Sequence, residues 1–333
     1  MAANTSWLGN QRRTQPRSAL VPTRRQIHAG LAVFLALLGA CRKGEDTGVD
    51  SSSANTGRKT IGVSLLTMQH QFYQELRSGL EESAKGNDYR LLIVTSEFDA
   101  TRQANQIDEF IVQKVNAIVV CPSDSRSVGA SIAAANSANI PVFTADIANT
   151  SPLGKVVAHI ASDNVQGGRK AAQLLVAALG DQGKVAILSH PEVTSVSDRV
   201  RGFKEELAGH PKMQVVAELS SEGKRDRAFR VTEDLLQSHA DLNGLFAIND
   251  DTALGALAAV EAAGKAGTLQ IVGYDATPEA RTKIAARGIY GDVTQNPKLI
   301  GCLTIEAIHD YFSGKTPPGI IPVEVGTFTG PSP

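Results

Sequence analysis

The chain has 333 residues, with 33 Lys and Arg against 34 Asp and Glu and a formal net charge of −1 at pH 7. That balance excludes the basic footprint of a nucleic-acid binder. Three cysteines in this length, and no Cys/His cluster at ligand spacing, exclude a disulfide scaffold and a zinc module.

The first predicted element is a leader. A basic stretch, "RRTQPRSALVPTRR", precedes "IHAGLAVFLALLGA", an apolar run of about fourteen residues that falls short of the roughly twenty needed to span a bilayer. Basic head, short apolar middle and small residues at the cut read as an export signal. Leu38-Gly39-Ala40-Cys41 resembles the bacterial lipobox, in which the cysteine is acylated and becomes the new first residue. Residues 1–41 are therefore expected to be a lipoprotein signal peptide ending at the lipidated Cys41. Thr23-Arg24-Arg25-Gln26-Ile27 also resembles a twin-arginine signal, so the export route, Sec or twin-arginine, stays open. Residues 42–57, "RKGEDTGVDSSSANTG", bury too little apolar surface to offset their ordering entropy and read as a flexible tether.

The body that follows, roughly 275 residues, is large for a single core, and two domains are expected. Short apolar strands alternate with amphipathic helices. "TIGVSLL" (60–66) is a strand. Phe72, Leu76, Leu80 and Ala84 then share one helical stripe that closes at Gly86. "YRLLIVTS" is a strand, "TRQANQIDEFIVQK" a helix, "AIVVCP" a strand, "SVGASIAAANSA" a helix and "IPVFTAD" a strand. Further strands are "KVAILS", "MQVVAEL", "GLFAIN", "LQIVGYD" and "IYGDVTQ", mostly separated by helices. Near-continuous apolar strands alternating with helices predict an α/β fold of doubly wound parallel sheets. An internal echo supports two such units. Asp124 and Asp250 each stand five residues before a Gly-Ala pair (Gly129, Gly255). Each then leads through an Ala-rich helix to a strand ending in Asp (Asp146, Asp275).

Ligands of open α/β sheets bind beyond the carboxyl ends of the strands. The residues there are His70, Phe72 and Tyr73 after the first strand, then Asp146, Asn249, Asp275 and Gln295, with Arg199 in the loop and helix start after "KVAILS". Asp, Asn, Gln and Arg match the paired donors and acceptors of sugar hydroxyls, and aromatic rings match sugar C–H faces. Phe72 and Tyr73 are adjacent and cannot share one helical face, so they are not both expected to be core. Neither a nucleophile elbow nor a glycine-rich phosphate loop follows a strand. Asp146 and Asp275 could be drawn as a glycosidase pair, but nothing in the sequence raises the pKa of one of the two carboxyls, and Arg199 nearby would lower it.

The stretches "TIGVSLLTMQHQFYQEL", "VVAHIASDNVQGGRKAAQLL", "LFAINDDTALGALAAVEAAGK", "IVGYDATPEA" and "DVTQNPKLIG" resemble the periplasmic sugar-binding proteins of ABC transporters, most closely the ribose-binding type. The resemblance implies a type I periplasmic binding protein: two doubly wound lobes joined by a three-stranded hinge. Crossings are then expected near Ser162–Asp163, Gln295–Asn296 and Val323–Val325. Residues 58–162 and 296–324 would form the first lobe, and 163–295 and 325–333 the second.

The resemblance also implies roles for the strand-end residues. Phe72 and Tyr73 would stack on a sugar, Asp146 and Asp275 would accept from it, Arg199 would donate, and Asn249 and Gln295 would do both. Ile147 departs from the family pattern, as do His70, Leu66 and Gly223, which puts ribose itself in doubt and leaves a pentose, hexose, deoxy sugar or polyol. The implied protein is a cofactor-free, non-enzymatic, monomeric, periplasmic, lipid-anchored partner of a membrane permease. The same lobes could serve a chemotaxis receptor or a sensor kinase. A lactose-repressor-like regulator shares them too, but it would need a helix-turn-helix where this chain has its leader and tether.

Overall fold

The computed structural model describes residues 57–330. The leader, Cys41 and the tether up to residue 56 lie outside the described residues. In chain order the elements are β1 (Thr60–Leu65), α1 (Gln71–Gly86), β2 (Arg90–Thr95), α2 (Ala100–Val112), β3 (Ala117–Val120), α3 (Val128–Ser137), β4 (Val142–Ala145) and β5 (Val156–Ser162). They continue with α4 (Asn164–Leu179), β6 (Gly183–Ser189), α5 (Thr194–Leu207), β7 (Met213–Ser220), α6 (Arg225–Ser238), β8 (Gly244–Ala247) and α7 (Asp250–Ala262). Last come β9 (Gln270–Asp275), α8 (Pro278–Ala285), β10 (Gly291–Thr294), α9 (Pro297–Phe312), β11 (Ile320–Val323) and β12 (Gly326–Phe328).

Two six-stranded sheets result, ordered β11-β5-β4-β3-β1-β2 and β12-β10-β9-β8-β6-β7. Leaving out β11 and β12, the two orders are the same, so each lobe repeats one winding. Every pairing is parallel except β10 with β12. The central strands β3, β4 and β8 are buried throughout, which is why their sequences run apolar without alternation. Helix starts are set by short polar caps. Asp99 accepts from the amides of Thr101 and Arg102, Asp163 from Gln166, Asn249 from Thr252, and Asn296 from Leu299 with Pro297 in the first turn.

The chain passes between the sheets three times. β5 leads into α4, which packs on the second sheet. β10 leads into α9, which packs on α1 and the first sheet. β11 leads to β12. The crossings run together: the Asp163 amide donates to the Val323 carbonyl at 3.0 Å, and the Gly326 amide to Thr294 Oγ1 at 3.1 Å. These three segments are the hinge. The carboxyl ends of β1, β4, β6, β8, β9 and β10 all feed residues into the space between the lobes.

Candidate functional site

Between the lobes lies a small cavity of about 40 Å³. All eight residues singled out from the sequence line it: His70, Phe72, Tyr73, Asp146, Arg199, Asn249, Asp275 and Gln295. The lobes touch across it. The Ser125 amide donates to the Glu192 carbonyl at 3.0 Å, the Thr194 amide to Ser125 Oγ at 3.0 Å, and the Ala148 amide to Thr194 Oγ1 at 2.9 Å. At the other side, His70 Nε2 lies 3.5 Å from Asp251 Oδ2. The cleft is closed.

In the first lobe, Phe72 and Tyr73 both face the cavity, edge to face with centroids 5.1 Å apart. They occupy the first turn of α1, whose end abuts the cleft, so both rings reach it although they diverge around the helix. Tyr73 is more than a stacking face: its hydroxyl donates to Asp146 Oδ2 at 2.7 Å. Asp146 follows β4 with a left-handed φ of 64°, which turns its carboxyl off the strand and into the cleft. Its other oxygen, Oδ1, is buried without a hydrogen-bond partner.

The second lobe repeats the device. Asp275 ends β9 with φ 114° and Ala276 follows at 57°, conformations that side-chain-bearing residues seldom adopt outside functional sites. Gln295 Nε2 donates to Asp275 Oδ1 at 2.6 Å, while Gln295 Oε1 is buried without a partner. Asn249 caps α7 through Oδ1 and donates from Nδ2 to the Gly223 carbonyl at 3.2 Å. Orphaned buried acceptors aimed into a cavity are strong evidence for a donor-rich ligand.

Arg199 is held on three sides. Its Nε donates to Asn164 Oδ1 at 2.8 Å, its Nη1 donates to the Ile248 carbonyl at 2.6 Å, and its guanidinium carbon sits 3.7 Å from the centroid of the Tyr274 ring. The "DNVQGG" stretch makes this possible. Asp163 caps α4 and Asn164 holds the arginine. A Cβ on Gly167 would stand 1.9 Å from the Tyr274 hydroxyl, and one on Gly168 would stand 1.9 Å from the Arg199 carbonyl oxygen. Gly168→Val should therefore push α5 off α4 and destabilise the protein by about 3 kcal/mol, far more than any gain in helix propensity. Thermal denaturation followed by circular dichroism checks this, and an unchanged Tm would contradict it.

Burial governs the electrostatics. It pushes the Asp146 carboxyl up, against the opposing pull of Arg199 and the Tyr73 hydroxyl. It pushes Asp275 well above the usual carboxylate range, with Asp250 adding to the effect. Arg199 pulls both carboxyls down as expected, but desolvation, which nothing in the sequence displayed, outweighs the one guanidinium. Burial also lowers His70, opposed by Asp251, so the ring is neutral at pH 7.

Behind Asp275 lies a second carboxyl pair, Asp250 and Asp292, both buried and within hydrogen-bonding reach of each other. Asp250 Oδ2 accepts from the Thr277 amide at 2.6 Å. Burial raises Asp292 to about 7 and Asp250 well above its ordinary value, so the pair shares a proton. A carboxyl whose folded pKa is raised contributes its stability fully below the unfolded value, near 3.9, and loses it as pH climbs through the folded value. Asp292→Asn, neutral and able to donate to Asp250, should stabilise the protein. Its gain should grow by about 1–3 kcal/mol between pH 5 and pH 8. Urea denaturation at the two pH values measures it, and a gain that shrinks with pH would contradict it.

Besides the eight, further residues line the cavity, and of these Phe98, Val193, Val196 and Ile248 carried no sequence signal for the site. Phe98 follows β2 with φ 64°, a strained setting for a bulky ring. It lies edge-on to His70 at 5.4 Å and 6.2 Å from the His190 ring. His190, at the end of β6, stands beside Gly223, where a Cβ would meet its Nδ1 at 3.6 Å. Leu66, Ile147, Val193, Val196 and Ile248 complete an apolar part of the lining.

Two parallel-sheet lobes, a three-stranded hinge and a polar, aromatic-flanked cavity between them define a two-lobed protein that closes around a small solute. Residues 61–316 match the family described as periplasmic binding protein domain, and the chain belongs to it. It is 35% identical to the ribose import binding protein RbsB of Bacillus subtilis, over 86% of this chain and 92% of that protein. It is 32% identical to the xylitol-binding protein of Mycolicibacterium smegmatis, over 75% of this chain and 71% of that protein. Among solved structures, a periplasmic solute-binding protein of an ABC transporter from Actinobacillus succinogenes, with bound D-allose, superposes with a TM-score of 0.76. It has 29% identity and covers 81% of this chain and 97% of that one. The Caulobacter myo-inositol binding protein superposes with a TM-score of 0.76 at 27% identity, covering 81% and 93%.

Proposed function

We propose that the protein is the substrate-binding component of a carbohydrate ABC importer, holding one small monosaccharide or related polyol between its lobes and delivering it to a membrane permease. One observation carries the reading. Unpartnered buried acceptors from both lobes, Asp146 Oδ1 and Gln295 Oε1, converge on one small cavity beside Phe72 and Tyr73. A polyhydroxylated ring supplies the donors these oxygens lack and an apolar C–H face for the aromatic rings. Relatives that bind ribose, xylitol, D-allose and myo-inositol support the same class. The eight residues named above are the proposed ligand contacts, and the protein acts as a monomer without a cofactor and without turning its ligand over.

A thermal-shift screen against pentoses, hexoses, deoxy sugars and polyols tests this. A ligand at a hundredfold over its dissociation constant adds about 2.7 kcal/mol of stability, a shift of several degrees. No shift with any carbohydrate would refute the reading.

The reading extends to the leader: the protein is exported and tethered to a membrane through lipidated Cys41. Cys41→Ala should move it from the membrane fraction to the soluble fraction, or leave its signal uncut. Fractionation with N-terminal mass spectrometry decides this, and an unmodified, uncut N-terminus on the native protein would contradict it.

A further inference from the structure

Resting on the reading of the cleft as a carbohydrate site, we propose that Asp250 and Asp292 are positioning residues for the ligand. The hydrogen bond between their carboxyls, behind the cavity, holds Asn249, Asp275 and Gln295 in register with one another. Neither of the two lines the cavity, whereas all three of the others do.

The three contacts stand on three different elements. Asn249 caps α7, Asp275 ends β9 and Gln295 follows β10. Asp250 is the residue after Asn249, and its Oδ2 accepts from the Thr277 amide at 2.6 Å. Thr277 closes the turn in which Asp275 and Ala276 both take positive φ, and its side chain caps α8. That bond ties the start of α7 to the far end of the turn that aims the Asp275 carboxyl. Asp292 brings in the third element. It lies on β10 just ahead of Gln295, and the strand register sets it beside Gly273 of β9. A Cβ on Gly273 would collide with Asp292 Oδ1 and would stand 3.2 Å from the Ala253 Cβ. The Asp292 carboxyl therefore lies over β9 on the face that α7 covers, where it meets Asp250.

Both carboxyls are buried, and Asp250 Oδ1 and both Asp292 oxygens make no hydrogen bond to any other group among the described residues. Two buried acids so sparsely partnered are unfavourable for stability. What they supply instead is a joint between α7 and β10 across β9, with a ligand contact beside each end of it and a third on the strand between.

Titration calorimetry tests the proposal, with the carbohydrate that raises the wild-type Tm most in the screen. Asp292→Val suits a strand but cannot bond to Asp250, and it should bind that sugar about tenfold more weakly. Asp292→Ala serves if the first variant folds poorly. Asp292→Asn, which can still donate to Asp250, should recover most of the lost affinity. Asp275 is the contact the joint holds most directly, so the cost of Asp292→Val should shrink to about threefold or less in an Asp275→Ala background. Wild-type affinity in Asp292→Val, a loss that Asp292→Asn does not recover, or an equal loss in the Asp275→Ala background would overturn the positioning role and leave the carbohydrate site standing. If no carbohydrate of any kind binds the wild type, both fall.

Discussion

Removing Asp275 or Arg199 should weaken carbohydrate binding far more than removing His70. Asp275 ends β9 in a backbone conformation held by its surroundings. Gln295 occupies one of its oxygens, and the other is left for ligand hydroxyls. Hydrogen bonds to a charged group contribute roughly 1.5–3 kcal/mol each, so Asp275→Ala should lower affinity about tenfold to more than a hundredfold. The same change removes a carboxyl that burial has pushed well up, so the Tm of the sugar-free variant at pH 8 should not fall. Loss of binding without loss of stability marks a residue kept for its ligand.

Arg199→Ala acts differently. It deletes two buried hydrogen bonds and the stack on Tyr274, and it withdraws the cation that offsets Asp146 and Asp275. Breaking a buried charge arrangement of this kind costs about 3–5 kcal/mol, divided here between affinity and stability. Arg199→Lys should not rescue it, since an ammonium cannot serve Asn164, Ile248 and the Tyr274 face together. His70 offers one polar contact, at 3.5 Å to Asp251, besides its ring packing on Phe98, and His70→Ala should cost ligand affinity about a kcal/mol at most. Calorimetry of the three variants checks the order. Abolished binding in His70→Ala with a silent Asp275→Ala would show the ligand is held elsewhere.

The second large effect concerns exchange. Ser125 and Thr194 face each other across the cleft with their hydroxyl oxygens 3.4 Å apart. Replacing both by cysteine should allow a disulfide that pins the lobes closed. Of the other thiols among the described residues, Cys121 is buried and Cys302 is half-buried on α9, away from the cleft. If the hinge must open for ligand to enter or leave, the oxidised double variant should release bound sugar on the order of 100-fold more slowly or worse. Reduction should restore the wild-type rate, and neither single variant should show the effect. Unchanged release from the oxidised form would mean that ligand escapes without lobe opening.

The alternation of apolar strands and helices, the repeated unit and the strand-end carboxylates were legible because each is local. Asp146 and Asp275 stand out as polar residues closing apolar runs, and the repeat puts them at equivalent places on β4 and β9. What was not legible depends on distant parts of the chain. "YRLLIVTS" reads like the other strands, yet β2 sits at a sheet edge and is only half-buried. Nothing near Asp292 announces Asp250; their meeting follows from the β9–β10 register, which sets Asp292 beside Gly273. Phe98 enters the cleft through a left-handed turn that no glycine or asparagine marks. The upward push on the carboxyls reflects desolvation in the cleft between the lobes, whereas the sequence displayed only the neighbouring arginine.

If one carbohydrate is held, unchanged, by strand-end residues of both lobes, binding and recovery of the sugar must show it. Titration calorimetry with the best carbohydrate from the screen tests it most directly, run on wild type and on Asp275→Ala, with the sugar recovered and analysed afterwards. The expected result is saturable binding of one sugar per chain, intact on recovery, and lost or weakened at least about tenfold in the variant. No binding by wild type, a consumed sugar, or equal affinity in Asp275→Ala would contradict it.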